Sequence, residues 1–243
     1  LLGDRFEVRY VAAHSARTLP LYLKVSALWA GQEGSLLLWA ALQATMAAWL
    51  AARPEGTGRT GAWAVALLGI VTTVFAALVF LVANPFIPSS PPPADGVGLS
   101  PLLRHPAMVL HPPALYLGYV GLAAPAALAL GALIAGEPDA FARAARPWAL
   151  GSWLFLGLGL LLGARWAYDV LGWGGYWGWD PVENAGLMPW LTATGLVHAL
   201  AAPDRRGGAR AWAVALAVVS FLLVILGTYI TRSGAIVSVH AFA

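Results

Sequence analysis

The sequence predicts an all-α fold, a polytopic bundle of membrane-spanning helices. Hydrophobic residues make up 60% of the 243-residue chain, only 10% of its residues are charged, and its mean hydropathy is +0.73. Soluble domains carry roughly 25% charged residues, so this composition is too apolar for one. The apolar runs are also continuous rather than alternating, which favours helices over a transmembrane barrel. We therefore expect a single membrane domain over residues 1–243.

Six crossings of the bilayer are expected, each near the ~20 residues that the hydrocarbon core requires. An amphipathic segment, 19–33, precedes the first crossing and is expected to lie on the membrane surface. The first, fourth and fifth crossings are slightly short, and such helices can extend through interfacial turns. In chain order the predicted crossings are 35–50, 63–83, 113–134, 148–163, 185–200 and 211–230.

The distribution of arginine predicts the orientation of the bundle. Basic residues accumulate in cytoplasmic loops, and the loops on one side carry seven arginines, whereas the opposite loops and the tail carry three. The basic N-terminal segment lies on the poorer side and weakens this bias. The richer side, expected to be cytoplasmic, holds Arg53, Arg59, Arg143, Arg146, Arg205, Arg206 and Arg210; the outward side holds Arg104, Arg165 and Arg232.

A proline-rich loop, 84–106, is expected on the outward side. Its seven prolines exclude a regular helix or a central strand and indicate a polyproline-like spacer. The chain contains no cysteine, which excludes disulfides, thiolate metal sites and thioether attachment to this chain. Any metal must therefore be held by histidine, methionine or carboxylate. The modest net charge of +3 gives no indication of a nucleic-acid partner.

The segment 172–190 carries the strongest functional signal. Flat aromatic faces beside glycines can bind a large planar ligand, although interfacial belts also enrich tryptophan. The acidic pair Asp180 and Glu183 suits a helix N-terminus, with a place in the environment of a haem propionate as the alternative. Four of the twelve tryptophans fall in this segment: Trp173, Trp177, Trp179 and Trp190.

Two histidines are expected on the same outward side as this segment. His111 precedes two prolines, which places it at the outer lip of the third helix. His240 follows the sixth helix by about ten residues. Together they could bind haem iron from above and below, while each taken singly could be an exposed loop histidine. His14 and His105 are interpreted as ordinary surface residues.

His198 lies inside the fifth predicted crossing. An ionisable residue within the membrane is a functional hypothesis by default, and here the hypothesis is an axial ligand of a second, buried haem. The alternative is a neutral imidazole bonded to a nearby carbonyl, or one close to the cytoplasmic surface. Arg232 could meet a haem propionate bidentately or could simply mark the membrane boundary.

Four motifs in order resemble the CcmF-type haem-handling family, which carries a tryptophan-rich "WWD" segment and acts in cytochrome c maturation. The resemblance covers essentially the whole chain, and NrfE and CcsA-type proteins share the WWD segment more loosely. The motifs are Tyr10-Val-Ala-Ala-His-Ser with Glu33-Gly-Ser-Leu-Leu-Leu-Trp39, His111-Pro-Pro-Ala-Leu-Tyr-Leu-Gly-Tyr-Val-Gly121, Trp173-Gly-Gly-Tyr-Trp-Gly-Trp-Asp-Pro-Val-Glu-Asn184, and Thr231 to Ala243.

This resemblance implies the roles of three histidines. The two outward haem ligands of the family fall on His111 and His240, and one ligand of a transmembrane haem b falls on His198. Family members are longer, so this chain is expected to be the N-terminal part of such a protein. The second ligand of haem b is then expected in a later helix.

The resemblance also implies a function as a haem-handling subunit of a holocytochrome c synthetase, or haem lyase. Such a subunit receives haem from a periplasmic haem chaperone (CcmE-like) and promotes its thioether attachment to apocytochrome c, beside a thiol-handling subunit (CcmH-like). The implied location is the bacterial inner membrane, with the WWD segment facing the periplasm and quinol as the reductant of haem b. The alternatives are a membrane transporter of haem and a non-haem scaffold subunit.

Overall fold

The computed structural model describes residues 1–172, 174–202, 208–238 and 240, whose regular secondary structure is helical apart from one isolated bridge between Val8 and Pro88. The all-α fold is therefore confirmed. The helices are α1 (Arg9–His14), α2 (Leu21–Ser26), α3 (Gln32–Ala51), α4 (Gly58–Leu81), α5 (Ala107–Gly121), α6 (Ala123–Ala135), α7 (Pro138–Val170), α8 (Pro181–Ala201) and α9 (Gly208–Arg232), with short 3-10 turns at Ala27–Trp29, Pro54–Gly56 and Pro101–Leu103.

Five spans in the described part of the chain are long and apolar enough to cross a membrane: α3, α4, α5 with α6, α7 and α9. The predicted fifth crossing is α8, whose 21 residues are too polar to count as a sixth span by the same measure. Its hydroxyl groups are satisfied inside the bundle. Trp153 Nε1 donates to Thr194 Oγ1 at 2.8 Å, and Ser220 Oγ donates to Thr192 Oγ1 at 2.8 Å.

The proline-rich loop folds against the N-terminal residues instead of forming a free spacer. Backbone hydrogen bonds join Arg9 N–H to the Ile87 carbonyl and Ser89 N–H to the Glu7 carbonyl, at 2.9 and 2.8 Å. One face of the segment 19–33 packs with a leucine of this loop in a small core, whereas Leu21, Tyr22 and Val25 are exposed, so its position on the membrane surface stays a prediction. That small core contains Leu19, Leu23, Ala27 and Leu99. We call residues 1–31 and 84–106 the N-terminal cap.

The third span begins earlier than predicted. His111, Pro112 and Pro113 lie inside α5, which starts at Ala107, whereas the sequence placed His111 at the helix lip. Pro112 has no N–H to donate to the Met108 carbonyl. The indole Nε1 of Trp29, in the N-terminal cap, donates to that carbonyl at 2.8 Å and replaces the missing bond. The cap thus makes a helical start possible where the local sequence disfavours one.

Helix α6 lies at the centre of the bundle. It contacts α4, α7 and α9, and ten of its 13 residues are buried. Its alanine-rich sequence allows neighbouring helices to approach closely, as small residues do in membrane bundles. Close approach also joins α5 to α7, because a Cβ atom on Gly118 would lie 2.6 Å from Leu156 Cβ. This packing brings the start of α5 against the end of α7.

Polar contacts gather three helix starts at one end of the bundle, which we call the basic end. Thr60 of α4 donates to Glu137 at 2.8 Å, and Arg210 of α9 pairs with Asp139 of α7 at 2.6 Å. The loops predicted to be arginine-rich therefore share one end. Arg143 and Arg146 lie within α7 rather than in a loop, and Arg205 and Arg206 lie outside the described residues.

Candidate functional site

The opposite end of the bundle, where α5 begins, α7 ends and α8 begins, is the aromatic end. His111 lies there, and its Nδ1 is 2.7 Å from the Gly159 carbonyl. A carbonyl can only accept, so Nδ1 carries the proton and the lone pair is on Nε2. An imidazole held in this way is pre-oriented to ligate a metal through Nε2.

Space for the His111 ring is provided by Gly163, one turn beyond Gly159 on α7. A Cβ atom at this position would lie 2.5 Å from His111 Cε1. Trp166 forms the next part of the wall, with its ring edge-on to His111 at a centroid distance of 5.6 Å. Its own Nε1 donates to the Leu102 carbonyl of the N-terminal cap at 3.2 Å. The cap and α7 therefore enclose the imidazole together.

His240 is held by the aromatic segment. Its Nδ1 lies 3.2 Å from Asp180 Oδ2, which again leaves Nε2 as the nitrogen with a lone pair. Ser238 Oγ donates to the same carboxylate oxygen at 2.6 Å and accepts from His240 N–H at 2.9 Å. Asp180 begins α8 at the end of the bundle where α7 ends, so the fold places at one end two histidines that are 129 residues apart in the sequence.

Asp180 caps helix α8 and also binds the segment that carries His240. As the N-cap of α8 it accepts from Val182 N–H at 2.9 Å, and it completes a capping box with Glu183. Burial acts to raise the pKa of Asp180, but hydrogen bonds from Ser238, Val182 and His240 outweigh it and hold the pKa below its usual value. The group is therefore a carboxylate at neutral pH. Asp180 therefore has the predicted role at the start of a helix. It also binds Ser238 and His240, which the local sequence does not reveal.

Trp179 has a strained backbone that its neighbours hold in place. Its φ of 56° lies in the left-handed region, which is uncommon for a residue with a bulky side chain. The Glu183 carboxylate accepts from the N–H groups on either side, those of Gly178 and Asp180, at 2.9 and 3.2 Å. Asn184 Nδ2 donates to the Trp179 carbonyl at 3.1 Å. The effect is to present the indole outward, where 71% of the residue is exposed.

The predicted aromatic platform is present in part. Trp177 and Trp179 meet edge to face at 6.3 Å and line an open apolar cleft with Leu187. Trp177 Nε1 is buried and has no hydrogen-bond partner among the described residues. Trp190 instead stacks on Trp153 at 6.0 Å inside the bundle, and Trp173 lies outside the described residues.

Arg232, the last residue of α9, points into the bundle. Its Nη2 donates to Tyr116 Oη at 2.9 Å and to Ser35 Oγ at 3.1 Å, and its guanidinium lies 5.7 Å from the Trp39 ring centroid. These contacts join α9 to α3 and α5. A role for Arg232 toward a haem propionate stays a prediction.

His198 lies far from the other two histidines. It occupies the last turn of α8, 18 residues beyond Asp180, which corresponds to about 27 Å along the helix. Its side chain is exposed on the outer face of this helix. A haem on His198 would therefore be separate from one bound at the aromatic end.

Sequence reasoning missed two residues of the aromatic end. His105, interpreted as an ordinary surface residue, stacks parallel to Trp166 at 6.5 Å and faces Asp169 at 3.7 Å. Trp166 itself was not singled out, although it separates His105 from His111. The proximity of both to the predicted ligand depends on the packing of α5 against α7, so no local motif could have indicated it.

Residues 29–237 match the family described as cytochrome C assembly protein. The chain is 48% identical over 248 aligned residues to the cytochrome c-type biogenesis protein CcmF of Pseudomonas aeruginosa, covering 100% of this chain and 37% of the relative. It is 46% identical over 245 residues to NrfE of Haemophilus influenzae, covering 99% of this chain and 38% of NrfE.

A solved structure of the cytochrome c haem lyase CcmF has a similar fold. The TM-score is 0.80 at 36% identity, with 96% of this chain and 37% of that chain covered. The chain thus spans somewhat more than a third of the length of its relatives. The match to the family extends over most of the chain and includes α3 to α9. This chain belongs to the cytochrome c assembly protein family.

Proposed function

We propose that this chain is the haem-presenting part of a cytochrome c maturation machine. The observation that carries the proposal is the pairing of His111 and His240 at the aromatic end. Each has Nδ1 bonded to a protein acceptor, and they lie at the end of the bundle that carries the tryptophan-lined cleft. Two such imidazoles are suited to bind haem iron as axial ligands.

Haem is the substrate of the proposed site. Trp177 and Trp179 would lie against the porphyrin, and the unpaired Trp177 indole N–H is available to a haem carboxylate. Trp166 contacts the His111 ring and bonds the N-terminal cap, so the two together cover part of this imidazole. Thioether formation adds a partner's S–H across a haem vinyl group, and the thiols come from apocytochrome c because this chain has no cysteine.

The proposed partners are those that the family resemblance implies, and the names of the relatives support a role in cytochrome c biogenesis. These partners are a periplasmic haem chaperone (CcmE-like) that delivers haem, a thiol-handling subunit (CcmH-like), and the apocytochrome. The protein would lie in the bacterial inner membrane with its aromatic end toward the periplasm, consistent with the arginines at the basic end.

A resident haem b on His198 is the second part of the proposal. When bound, it would supply electrons that keep the substrate haem ferrous, with quinol as the source. The second axial ligand would come from outside this segment. Exposure of the His198 ring on the outer face of α8 supports a ligand that completes its coordination from elsewhere.

The test is the haem spectrum of the complete protein purified from haem-replete cells. Wild type should show low-spin haem with two axial histidines. His111→Ala or His240→Ala should lose the haem at the aromatic end and block covalent attachment to an apocytochrome supplied in trans. Colourless wild-type protein would favour the scaffold alternative and contradict the proposal. His14→Ala is a matched control, since His14 lies in the N-terminal cap and bonds the Tyr10 carbonyl.

A further inference from the structure

We infer that Asp180 is the positioning residue for His240 and docks the exchangeable half of the haem site, whereas His111 belongs to the fixed half. This inference rests on the proposed function. It begins with one carboxylate oxygen, Asp180 Oδ2, which accepts three hydrogen bonds. One comes from Val182 in its own helix, and two come from Ser238 and His240 in the segment after α9. Asp180 therefore ties two distant parts of the chain together.

The segment 233–240 has few other contacts that could hold it. Most of its described residues are exposed, and Val237 is 95% exposed. Apolar burial therefore contributes little to its docking. Among its described residues, the hydrogen bonds to the rest of the bundle beyond α9 are those of Ser238 and His240 to Asp180. The position of the His240 ring consequently depends on that carboxylate.

His111 is held in a different way. It lies within α5, whose start is secured by the hydrogen bond from Trp29 to Met108. Its ring is packed against Gly163 of α7, and its Nδ1 bonds a backbone carbonyl that no side-chain substitution removes. The two ligands thus differ in what supports them: helix packing for His111 and one charged side chain for His240.

This difference has a chemical consequence for iron. A carboxylate acceptor on Nδ1 makes Nε2 a stronger donor than a carbonyl acceptor does, and such supporting groups typically change metal affinity by about 10–100-fold. With Asp180 in place, His240 would bind firmly. If a partner displaced the exposed residues 233–237, His240 would leave the iron while His111 would stay. Asp180 therefore decides which face of the substrate haem opens to the histidine of an incoming cytochrome.

Two substitutions separate charge from position. Asp180→Asn keeps a good helix N-cap and an oxygen acceptor but removes the charge. It should raise the midpoint potential of the haem at the aromatic end, because the ferric state loses the stronger donor. Asp180→Ala should lower haem affinity about 10–100-fold, produce a high-spin or exchangeable spectrum, and be rescued by added imidazole.

The matched control is Asp169→Asn, which removes another carboxylate facing a histidine at the same end of the bundle. It should leave the spin state and the potential unchanged. Ser238→Ala removes one of the two docking bonds without touching the helix cap, and it should give a smaller shift in the same direction. If Asp180→Ala does not fold, Ser238→Ala still tests whether the bonds to Asp180 position His240.

Two results would overturn the inference: wild-type spectra and potentials in all the Asp180 and Ser238 variants, or an equal effect of Asp169→Asn. Failure of the proposed function gives a different result, because the wild-type protein itself would then bind no haem at the aromatic end.

Discussion

The two ends of α8 differ in how they support a histidine. At the N-terminal end, Asp180 caps the helix and holds His240, which belongs to a segment more than 50 residues further along the chain. At the C-terminal end, His198 lies in the last turn with its side chain exposed. A ligand whose second nitrogen is already bonded is pre-oriented. One candidate ligand at α8 is thus held by a charged neighbour, whereas the other is exposed on the helix surface.

The largest expected effect tests whether the two ends are independent. His198→Ala should abolish one haem population and leave the absorption of the other unchanged, because about 27 Å of helix separates His198 from Asp180. The measurement is the reduced-minus-oxidised difference spectrum of each single variant and of His198→Ala combined with His240→Ala. The haem absorption lost in the double variant should equal the sum of the losses in the two single variants. Simultaneous loss of both haems in His198→Ala would show that the ends form one site.

The next effect concerns the fixed half of the aromatic end. Gly163→Ala would place a Cβ atom 2.5 Å from His111 Cε1, so the ring must move away from its position on the Gly159 carbonyl. Because the obstructing atoms belong to a side chain, the free energy of unfolding should change by less than about 1–3 kcal/mol, the usual range for overpacking. The affinity for haem should nevertheless fall at least tenfold.

Gly151→Ala is the control for this substitution, since it lies on the same helix and a Cβ atom there would meet nothing within 4 Å. Haem titration of both variants makes the comparison. Equal affinity in Gly163→Ala and Gly151→Ala would show that the His111 ring does not need the space that Gly163 provides.

A smaller effect is expected from the capping box. Glu183→Ala removes the carboxylate that accepts hydrogen bonds from the N–H groups of Gly178 and Asp180. These two bonds hold Trp179 in its left-handed conformation. Loss of a capping interaction costs about 1 kcal/mol of stability. Haem affinity should fall as well, because the Trp179 indole loses its fixed direction. Trp212→Ala, which removes an exposed tryptophan of α9, provides a control with no effect on haem.

The smallest effect is expected at the basic end. Arg210→Ala removes the ion pair with Asp139, whose carboxylate is largely exposed, so the cost should be about 0–1 kcal/mol. The haem spectrum should not change. Thermal unfolding and absorption spectra of the same preparation check both statements. A changed haem spectrum would mean that the basic end is coupled to the ligands of the aromatic end.

The sequence predicted the class of fold and most of its spans, since apolar composition records directly which segments can lie in a membrane. The predicted crossing at α8 is not among the five candidate spans of the described residues, because α8 is more polar than they are. Its threonines bond carbonyls of their own helix and also meet Trp153 of α7 and Ser220 of α9. The sequence misplaced the start of α5, because the proline-based rule describes local backbone preference and takes no account of the Trp29 indole.

By itself, then, the sequence determined the helical class of this protein, the position of its aromatic segment and the identity of its candidate ligands. Only the tertiary structure decided that His111 bonds Gly159, that His240 bonds Asp180, that Trp166 lies beside His111, and that Arg232 points inward. The physical reason is distance along the chain. Hydropathy and helix capping act between near neighbours, whereas these contacts join residues 48 to 116 positions apart, which meet only when the helices pack.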